Sequence, residues 1–202
     1  MVPRSAVRHA RRALTDRGSA RRATLLLVSC ESVVGACVLV LALAGLGLLQ
    51  RGPSWSTPTS GELSSAFGPR ADPFTGVPGL HAGQDIRNDC GTAVFAAADG
   101  VVRYAAPGPY QGRTGNQIVI DHSGGISTRY GHVLTGTMVV EAGDRVTAGS
   151  QIAQMGGDQD LDPIGAGNST GCHLHFEVNI DDEPVDPLAY LLTLGVTIAA
   201  EP

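Results

Sequence analysis

The stretch STGCHLHFEV, residues 169–178, decides the fold because its polar and apolar residues alternate. Successive side chains of a β-strand point to opposite faces of a sheet, so Leu174 and Phe176 would share a buried face. His173 and His175 would then lie together on the other face. Taken alone, this pattern fits ordinary histidines on a solvated face equally well. The rest of the chain must distinguish the two interpretations.

Short β-branched runs interrupted by glycine lie on the N-terminal side of this stretch. The segment TAVFAAADGVVRYAA, residues 92–106, predicts two strands with a hairpin at Asp99–Gly100. The segment NQIVIDHSGGISTRYGHV, residues 116–133, predicts two more, and short strands follow within residues 140–156. A helical period is limited to a short segment at 187–194. The sequence therefore predicts an all-β domain built from antiparallel sheet.

An arginine-rich segment and an apolar run occupy the N-terminal quarter of the chain. Seven arginines precede the apolar run, which is uncharged from residue 33 to residue 49. This pattern predicts one transmembrane helix with its arginine-rich side in the cytoplasm. A signal peptide cleaved within ALAG, residues 42–45, is the alternative. The predicted organisation is a cytoplasmic tail (residues 1–23), an anchor (24–50), a linker (51–61), a β domain (62–190) and a C-terminal tail (191–202).

Both interpretations place the β domain outside the cytoplasm, either held at the cell membrane by a single pass or secreted after cleavage. Residues 52–202 contain 17 acidic residues and six arginines, and this balance excludes nucleic acid as a partner. The chain contains no lysine. A biotinyl or lipoyl carrier needs a lysine to modify, so the hairpin-like segment VEAGDRVTAGSQIAQMG does not indicate a carrier domain.

The four cysteines form two pairs of different character. Cys30 and Cys37 lie in the apolar run, where they are expected to be small apolar residues. Cys90 and Cys172 lie in the exported part, where the redox environment permits a disulfide. Because they are the only two cysteines there, the sequence predicts that they pair.

The motif HAGQD, residues 81–85, introduces two further polar side chains. In an extended stretch His81 and Asp85 share a face, and an imidazole with a carboxylate is a plausible pair of zinc ligands. A catalytic zinc usually has three protein ligands and keeps a fourth position for water. Either His173 or His175 would supply the third ligand. The remaining histidine of that pair would be available for proton transfer.

Together these segments resemble the lysostaphin-type zinc metallopeptidases, exported enzymes that cut the peptides of bacterial peptidoglycan. The resemblance covers roughly residues 63–188 and includes HAGQD, CGTAVFAAADGVV, GNQIVIDH, RYGHV and STGCHLHFEV. It implies a lysostaphin-like antiparallel sheet domain with one zinc ion per chain. It also implies that the zinc ligands are His81, Asp85 and His175, and that His132 and His173 flank the metal-bound water and the scissile carbonyl.

Histidine must move the protons in such an enzyme, because the chain has no HExxH glutamate. His173 is the first choice as general base, with His132 orienting water or stabilising the oxyanion. The sequence is also compatible with the reverse assignment of these two roles. Glu177 is expected either to support His175 or to be structural. His122 is interpreted as structural.

Two functions follow from the resemblance. Inactive family members that activate other cell-wall hydrolases have lost metal ligands, whereas this chain retains all five key side chains. The first expectation is therefore a zinc endopeptidase that acts on peptidoglycan cross-links or stem peptides, with glycine bridges and D-alanyl–diaminopimelate links both possible. The alternative is an inactive regulator that binds cell-wall or division proteins through the same groove. A D-alanyl-D-alanine carboxypeptidase fits the ligand spacing poorly.

Overall fold

The structure, a computed structural model, describes residues 54–72 and 74–198. The described residues contain twelve β-strands, two short α-helices and one 3-10 turn at Ser123–Gly125. The strands are β1 (Glu62–Ser65), β2 (Gly68–Ala71), β3 (Pro78–His81), β4 (Gln84–Arg87), β5 (Ala93–Phe95), β6 (Gly100–Ala106), β7 (Gln117–Asp121), β8 (Ile126–Gly131), β9 (Arg145–Val146), β10 (Gln151–Gln154), β11 (His173–Ile180) and β12 (Glu183–Val185). The helices are α1 (Pro163–Ala166) and α2 (Pro187–Thr193).

One large antiparallel sheet dominates this architecture. Its strand order is β1-β4-β11-β8-β7-β6-β9, and β12 pairs with the C-terminal half of β11. Two further antiparallel pairs, β2 with β3 and β5 with β10, complete the described strands. The predicted β class and its antiparallel pairing are therefore confirmed.

The predicted transmembrane helix over residues 24–50 lies outside the described residues. Within the described part of the chain, neither helix combines the length and the apolar character needed to cross a membrane.

Strand β11 lies at the centre of the main sheet and has the two faces that its sequence predicts. Its first half pairs with β4, and most of its length pairs with β8. Leu174, Phe176 and Val178 are fully buried in the core, so burial of these apolar side chains fixes which face carries the histidines. The core also contains buried residues from several other strands, among them Ile86, Val94, Val102, Ile118, Ile120, Tyr130 and Ile152.

The prediction of a hairpin at Asp99–Gly100 is wrong, although both flanking strands exist. Strand β5 pairs with β10, while β6 pairs with β7 and β9. Between them, residues 96–98 pass from the β5–β10 sheet to the main sheet, and their backbone groups form hydrogen bonds with distant segments of the chain. The Ala96 amide donates to the Ser150 carbonyl at 2.9 Å, and the Ala97 carbonyl accepts from Ser56 at 2.8 Å. These long-range partners take the place of a local turn.

Packing extends beyond residues 62 and 190 on both sides. In the segment predicted as a linker, the Thr59 hydroxyl donates to the Ala93 carbonyl at 2.8 Å. The Trp55 ring meets the Tyr190 ring edge-on, with 5.2 Å between centroids. On the C-terminal side, Val196 packs against the core. These contacts attach both flanking segments to the sheet domain.

The structure contains the predicted disulfide between Cys90 and Cys172. Cys90 lies in the loop that follows β4, and Cys172 immediately precedes β11. The two Cα atoms are 5.2 Å apart although the residues are separated by 82 positions. The bond links the start of β11 to the loop that follows β4.

Candidate metal centre and active-site cleft

Two adjacent strands of the main sheet and one strand of the β2–β3 pair bring the predicted metal ligands together. His81 ends β3, Asp85 lies in β4, and His175 lies in β11 directly opposite Asp85 in the strand register. Gly83 permits this approach, because a Cβ atom there would lie 2.5 Å from the Phe176 carbonyl oxygen and 3.0 Å from the His175 ring. The glycine in HAGQD therefore has a steric role beside the site.

The three side chains present their ligand atoms as a nearly equilateral triangle. The Nε2 atom of His81 lies 3.1 Å from Oδ1 of Asp85 and 3.0 Å from Nδ1 of His175. The third side, from His175 Nδ1 to Asp85 Oδ1, is 2.9 Å. Ligand bonds of about 2.0 Å to a tetrahedral zinc give edges of about 3.3 Å. Two imidazole nitrogens and one carboxylate oxygen, all buried, thus fit a zinc ion.

The outer nitrogen of each ligand histidine has a partner that fixes its tautomer. His81 Nδ1 lies 2.8 Å from the Ala66 carbonyl oxygen, to which it can only donate. His175 Nε2 lies 3.0 Å from Oε1 of Glu177, a carboxylate that can only accept. In its neutral form each histidine therefore keeps a lone pair on the nitrogen that faces the triangle.

Glu177 is buried among positive charges. Arg113 Nε donates to the Glu177 oxygen that faces His175, and Arg129 Nε lies 3.5 Å from the other oxygen. Burial acts to raise the pKa of Glu177, but His175 and Arg113 outweigh it and lower that pKa to about 2. Glu177 is therefore ionised at neutral pH and can support His175.

The histidines also control the charge of Asp85. Burial acts to raise the pKa of Asp85, yet its contacts with His175 and His81 hold that pKa well below the ordinary value. Burial similarly acts to lower the pKa of His175, while Asp85 and Glu177 raise it above the ordinary value. Asp85 is thus available as an anionic ligand.

His173 lies beside the triangle on the same face of β11. Its Nδ1 is 2.9 Å from the Gly171 carbonyl oxygen and 3.1 Å from the Ser169 hydroxyl. Its Nε2 approaches Asp85 Oδ1 at 3.7 Å. Burial lowers the pKa of His173, so the ring is neutral at neutral pH. With Nδ1–H donating to Gly171, Nε2 is the nitrogen able to accept a proton.

His132 follows β8 and adopts a left-handed backbone conformation, with φ of 60°. Its ring centroid lies 4.7 Å from that of His173 and 6.0 Å from that of His175. Burial, with the nearby His173 and His175 rings, lowers the pKa of His132 to about 3. This imidazole is therefore neutral and can donate a hydrogen bond through one ring nitrogen.

All five predicted site residues line one open cleft of about 420 Å³. His122 lies elsewhere, where its ring bonds to the Asp99 carbonyl at 2.9 Å and to the Thr128 hydroxyl at 2.8 Å. Its interpretation as structural agrees with these contacts.

Sequence reasoning missed two arginines beside the site. Arg113 lies in the loop between β6 and β7, and Arg129 lies in β8. Arg113 has no spacing relation to the histidines. Arg129 lies three residues before His132, but it meets Glu177 only because β8 pairs with β11. The local sequence carries no signal that would have identified them.

Solved structures share this fold and define its class as lysostaphin-like peptidases. The catalytic domain of lysostaphin from Staphylococcus simulans superposes with a TM-score of 0.53 at 29% identity, covering 65% of this chain and 92% of that one. A zinc-containing peptidase from Vibrio cholerae superposes with a TM-score of 0.54 at 33% identity, covering 66% and 39%. The predicted resemblance is confirmed.

The chain belongs to Peptidase family M23, whose family model matches residues 79–187. The DD-carboxypeptidase/endopeptidase Mpg of Neisseria meningitidis is 35% identical over 130 residues, which is 64% of this chain and 27% of that protein. The murein hydrolase activator NlpD of Escherichia coli is 33% identical over 138 residues, covering 68% and 31%. The match spans less than a third of the length of either relative.

Proposed function

We propose that this domain is an active zinc metalloendopeptidase that hydrolyses peptide bonds in bacterial peptidoglycan. The observation that carries the proposal is the complete triangle of His81, Asp85 and His175, with both outer histidine nitrogens hydrogen-bonded. Two neutral histidines, His132 and His173, stand beside it in the same cleft. Membership of Peptidase family M23 and the peptidase names of several relatives support the same conclusion.

His81, Asp85 and His175 would hold the metal, and their buried hydrogen-bond partners keep them in the required tautomer and charge. When bound, zinc supplies a Lewis acid that lowers the pKa of a water and polarises the scissile carbonyl. The open cleft gives a peptide access to this position.

His173 is the proposed general base. Its Nε2 keeps a lone pair because Nδ1 donates to the Gly171 carbonyl, and its lowered pKa leaves that lone pair free at neutral pH. Nε2 therefore accepts a proton from the attacking water and later returns it to the leaving amine. The Gly171 carbonyl stabilises the positive charge that the ring carries between these two steps.

His132 is proposed to stabilise the oxyanion. It stays neutral across the physiological range, so one ring nitrogen carries a proton that can be donated to the developing negative charge. Its ring packs against the ring of His173, and this contact limits the change in distance between the two rings.

Zinc content and muropeptide release, measured on the purified full chain, test these assignments. We expect about one zinc per chain and release of muropeptides from purified peptidoglycan. His81→Ala and Asp85→Ala lose zinc and activity together. His173→Ala retains zinc but loses activity by about 100-fold or more, because general acid–base catalysis contributes at least that factor. Normal hydrolysis by His173→Ala contradicts its role as base.

The second candidate is a regulator that activates another cell-wall hydrolase, which the similarity to the activator NlpD favours. The same preparations distinguish it from an enzyme. A regulator releases no muropeptides by itself, whatever its zinc content, but increases their release by a second hydrolase. Glu141→Gln, an exposed substitution outside the cleft, serves as the matched control for both readouts.

We further propose that residues 24–50 anchor the domain on the outer side of the cytoplasmic membrane. The apolar run and its preceding arginines support this location. The full chain should resist alkaline extraction from membranes and retain its N-terminus. A mature protein that begins near residue 45 would instead indicate a cleaved signal peptide and secretion.

A further inference from the structure

A second cleft adjoins the candidate active site on the same face of the main sheet. Its volume is about 380 Å³, and its lining includes Arg103, Arg113, Arg129 and Glu177. Arg113 also lines the active-site cleft, together with His173 and His175. This arginine therefore marks the boundary at which the two clefts meet.

A tight turn holds Arg113 in this position. The Tyr110 amide donates to the Arg113 carbonyl at 3.0 Å, and the Arg113 amide donates to the Tyr110 carbonyl at 3.1 Å. The two central residues, Gln111 and Gly112, have φ values of 49° and 76°, as a type I′ turn requires. Tyr110 stacks on Tyr104 with 3.7 Å between ring centroids. The turn therefore fixes the backbone position of Arg113 without any contribution from a ligand.

Two guanidinium groups meet one carboxylate at this boundary. Arg113 and Arg129 both face the single carboxylate of Glu177. Arg103 forms ion pairs with Asp121 and Asp182, so it contributes no excess charge. Two arginines therefore share the carboxylate of Glu177, in a part of the chain where 17 acidic residues outnumber six arginines.

Arg113 also has free donors. Its Nε donates to Glu177, but neither Nη1 nor Nη2 has a hydrogen-bond partner among the described residues. The side chain is 38% exposed, whereas that of Arg129 is 9% exposed. A guanidinium that presents two terminal N–H groups in one plane matches the two oxygens of a carboxylate.

We propose that Arg113, with Arg129 behind it, forms a carboxylate-binding subsite that selects substrates with a free carboxylate next to the scissile peptide bond. This inference rests on the proposed peptidase function. A D-alanyl–diaminopimelate cross-link fits the subsite, because the residue on the amine side of its scissile bond keeps a free carboxylate. A glycine cross-bridge has no such group near the bond. The subsite therefore favours the anionic substrate class.

Two synthetic cross-linked peptides test the subsite on the zinc-loaded full chain. They differ only at the carboxylate next to the scissile bond, which is free in one and a primary amide in the other. A charge-assisted hydrogen bond predicts kcat/KM about tenfold higher for the acid than for the amide. In Arg113→Gln this ratio falls to about one through a higher KM for the acid, whereas any loss of zinc through the weakened support of Glu177 by itself lowers cleavage of both peptides equally and leaves the ratio at about ten. Arg145→Gln, exposed on β9 and outside both clefts, keeps the ratio.

The possible outcomes separate the subsite from the proposed function. Equal cleavage of both peptides by the unaltered chain overturns the subsite and leaves the peptidase function standing. An equal loss for both peptides in Arg113→Gln, accompanied by lost zinc, assigns Arg113 to the support of Glu177 alone and also overturns the subsite. If neither peptide is cleaved, the proposed peptidase function is wrong. Calorimetric measurement of the binding of the same two peptides then decides whether the carboxylate subsite exists. A tenfold preference that Arg113→Gln removes then supports the subsite, and equal affinities overturn it.

Discussion

At the scale of single residues, Glu177 connects the metal site with the arginine-lined cleft. Its Oε1 atom accepts from both His175 and Arg113, and the residue is almost fully buried. The alternation within β11 correctly places it on the histidine face. The sequence leaves open whether it supports a ligand, because that depends on which atom of His175 faces it.

Replacing Glu177 by glutamine should weaken zinc binding by about 10- to 100-fold. The amide oxygen can still accept from His175 Nε2, but it no longer carries the negative charge that makes the imidazole a stronger ligand. Competition between the protein and a chelator measures the change in zinc affinity. Glu183→Gln, an exposed substitution at the start of β12, is the matched control. An unchanged affinity in Glu177→Gln would show that this carboxylate does not tune the metal ligand.

The limits of sequence reasoning are visible at Arg113 and His81. His81 and Asp85 are identified because both lie in one short motif whose spacing survives in the folded chain. Arg113 is 64 positions from Glu177, and no periodicity relates the two residues. Its role exists only after a type I′ turn and several strand pairings have been formed.

At the scale of secondary-structure elements, the pairing of β4 with β11 builds the metal site. The register places Asp85 opposite His175, and a shift by one residue would turn every side chain of the strand to the other face. Burial of Leu174 and Phe176 prevents such a shift. The core thus sets the ligand geometry.

Gly83→Ala tests how closely these two strands must approach. The added Cβ would lie 2.5 Å from the Phe176 carbonyl and 3.0 Å from the His175 ring, so the strands must move apart. We expect the free energy of unfolding to fall by about 1–3 kcal/mol and zinc content to fall with it. Chemical denaturation and metal analysis measure the two effects.

Gly79→Ala provides the control for this substitution. Gly79 lies in β3, and a Cβ atom there would meet nothing within 4 Å. It should change neither stability nor zinc content appreciably. Full zinc occupancy in Gly83→Ala would contradict the steric role assigned to Gly83.

At the scale of the whole molecule, the Cys90–Cys172 disulfide closes a long loop of the domain. The loop contains the β5–β10 pair and four strands of the main sheet, β6 to β9, and it ends one residue before His173. A cross-link over 82 positions restricts the unfolded chain strongly. The bond therefore acts on the stability of the sheet domain and on the position of the histidine strand.

Reduction of the disulfide should lower the free energy of unfolding by about 2–4 kcal/mol. Urea unfolding with and without reductant measures this change, with thiol labelling to verify that the bond has opened. The double variant Cys90→Ser/Cys172→Ser should match the reduced protein and be insensitive to reductant. Equal stability of the oxidised and reduced chains would argue against this contribution.

The sequence by itself determined the β class, the antiparallel pairing and the disulfide, and the resemblance of its motifs to those of the lysostaphin-type peptidases supplied the set of five side chains around the cleft. These features depend on local alternation, on short motifs and on the small number of cysteines, all of which can be read without knowing which segments meet. The tertiary structure alone decided that residues 93–106 do not form a hairpin and that the packed domain includes residues outside 62–190. It also decided that Glu177, Arg113 and Arg129 meet beside His175. These contacts join segments far apart in the chain, and their partners are selected by sheet order and burial rather than by neighbouring residues.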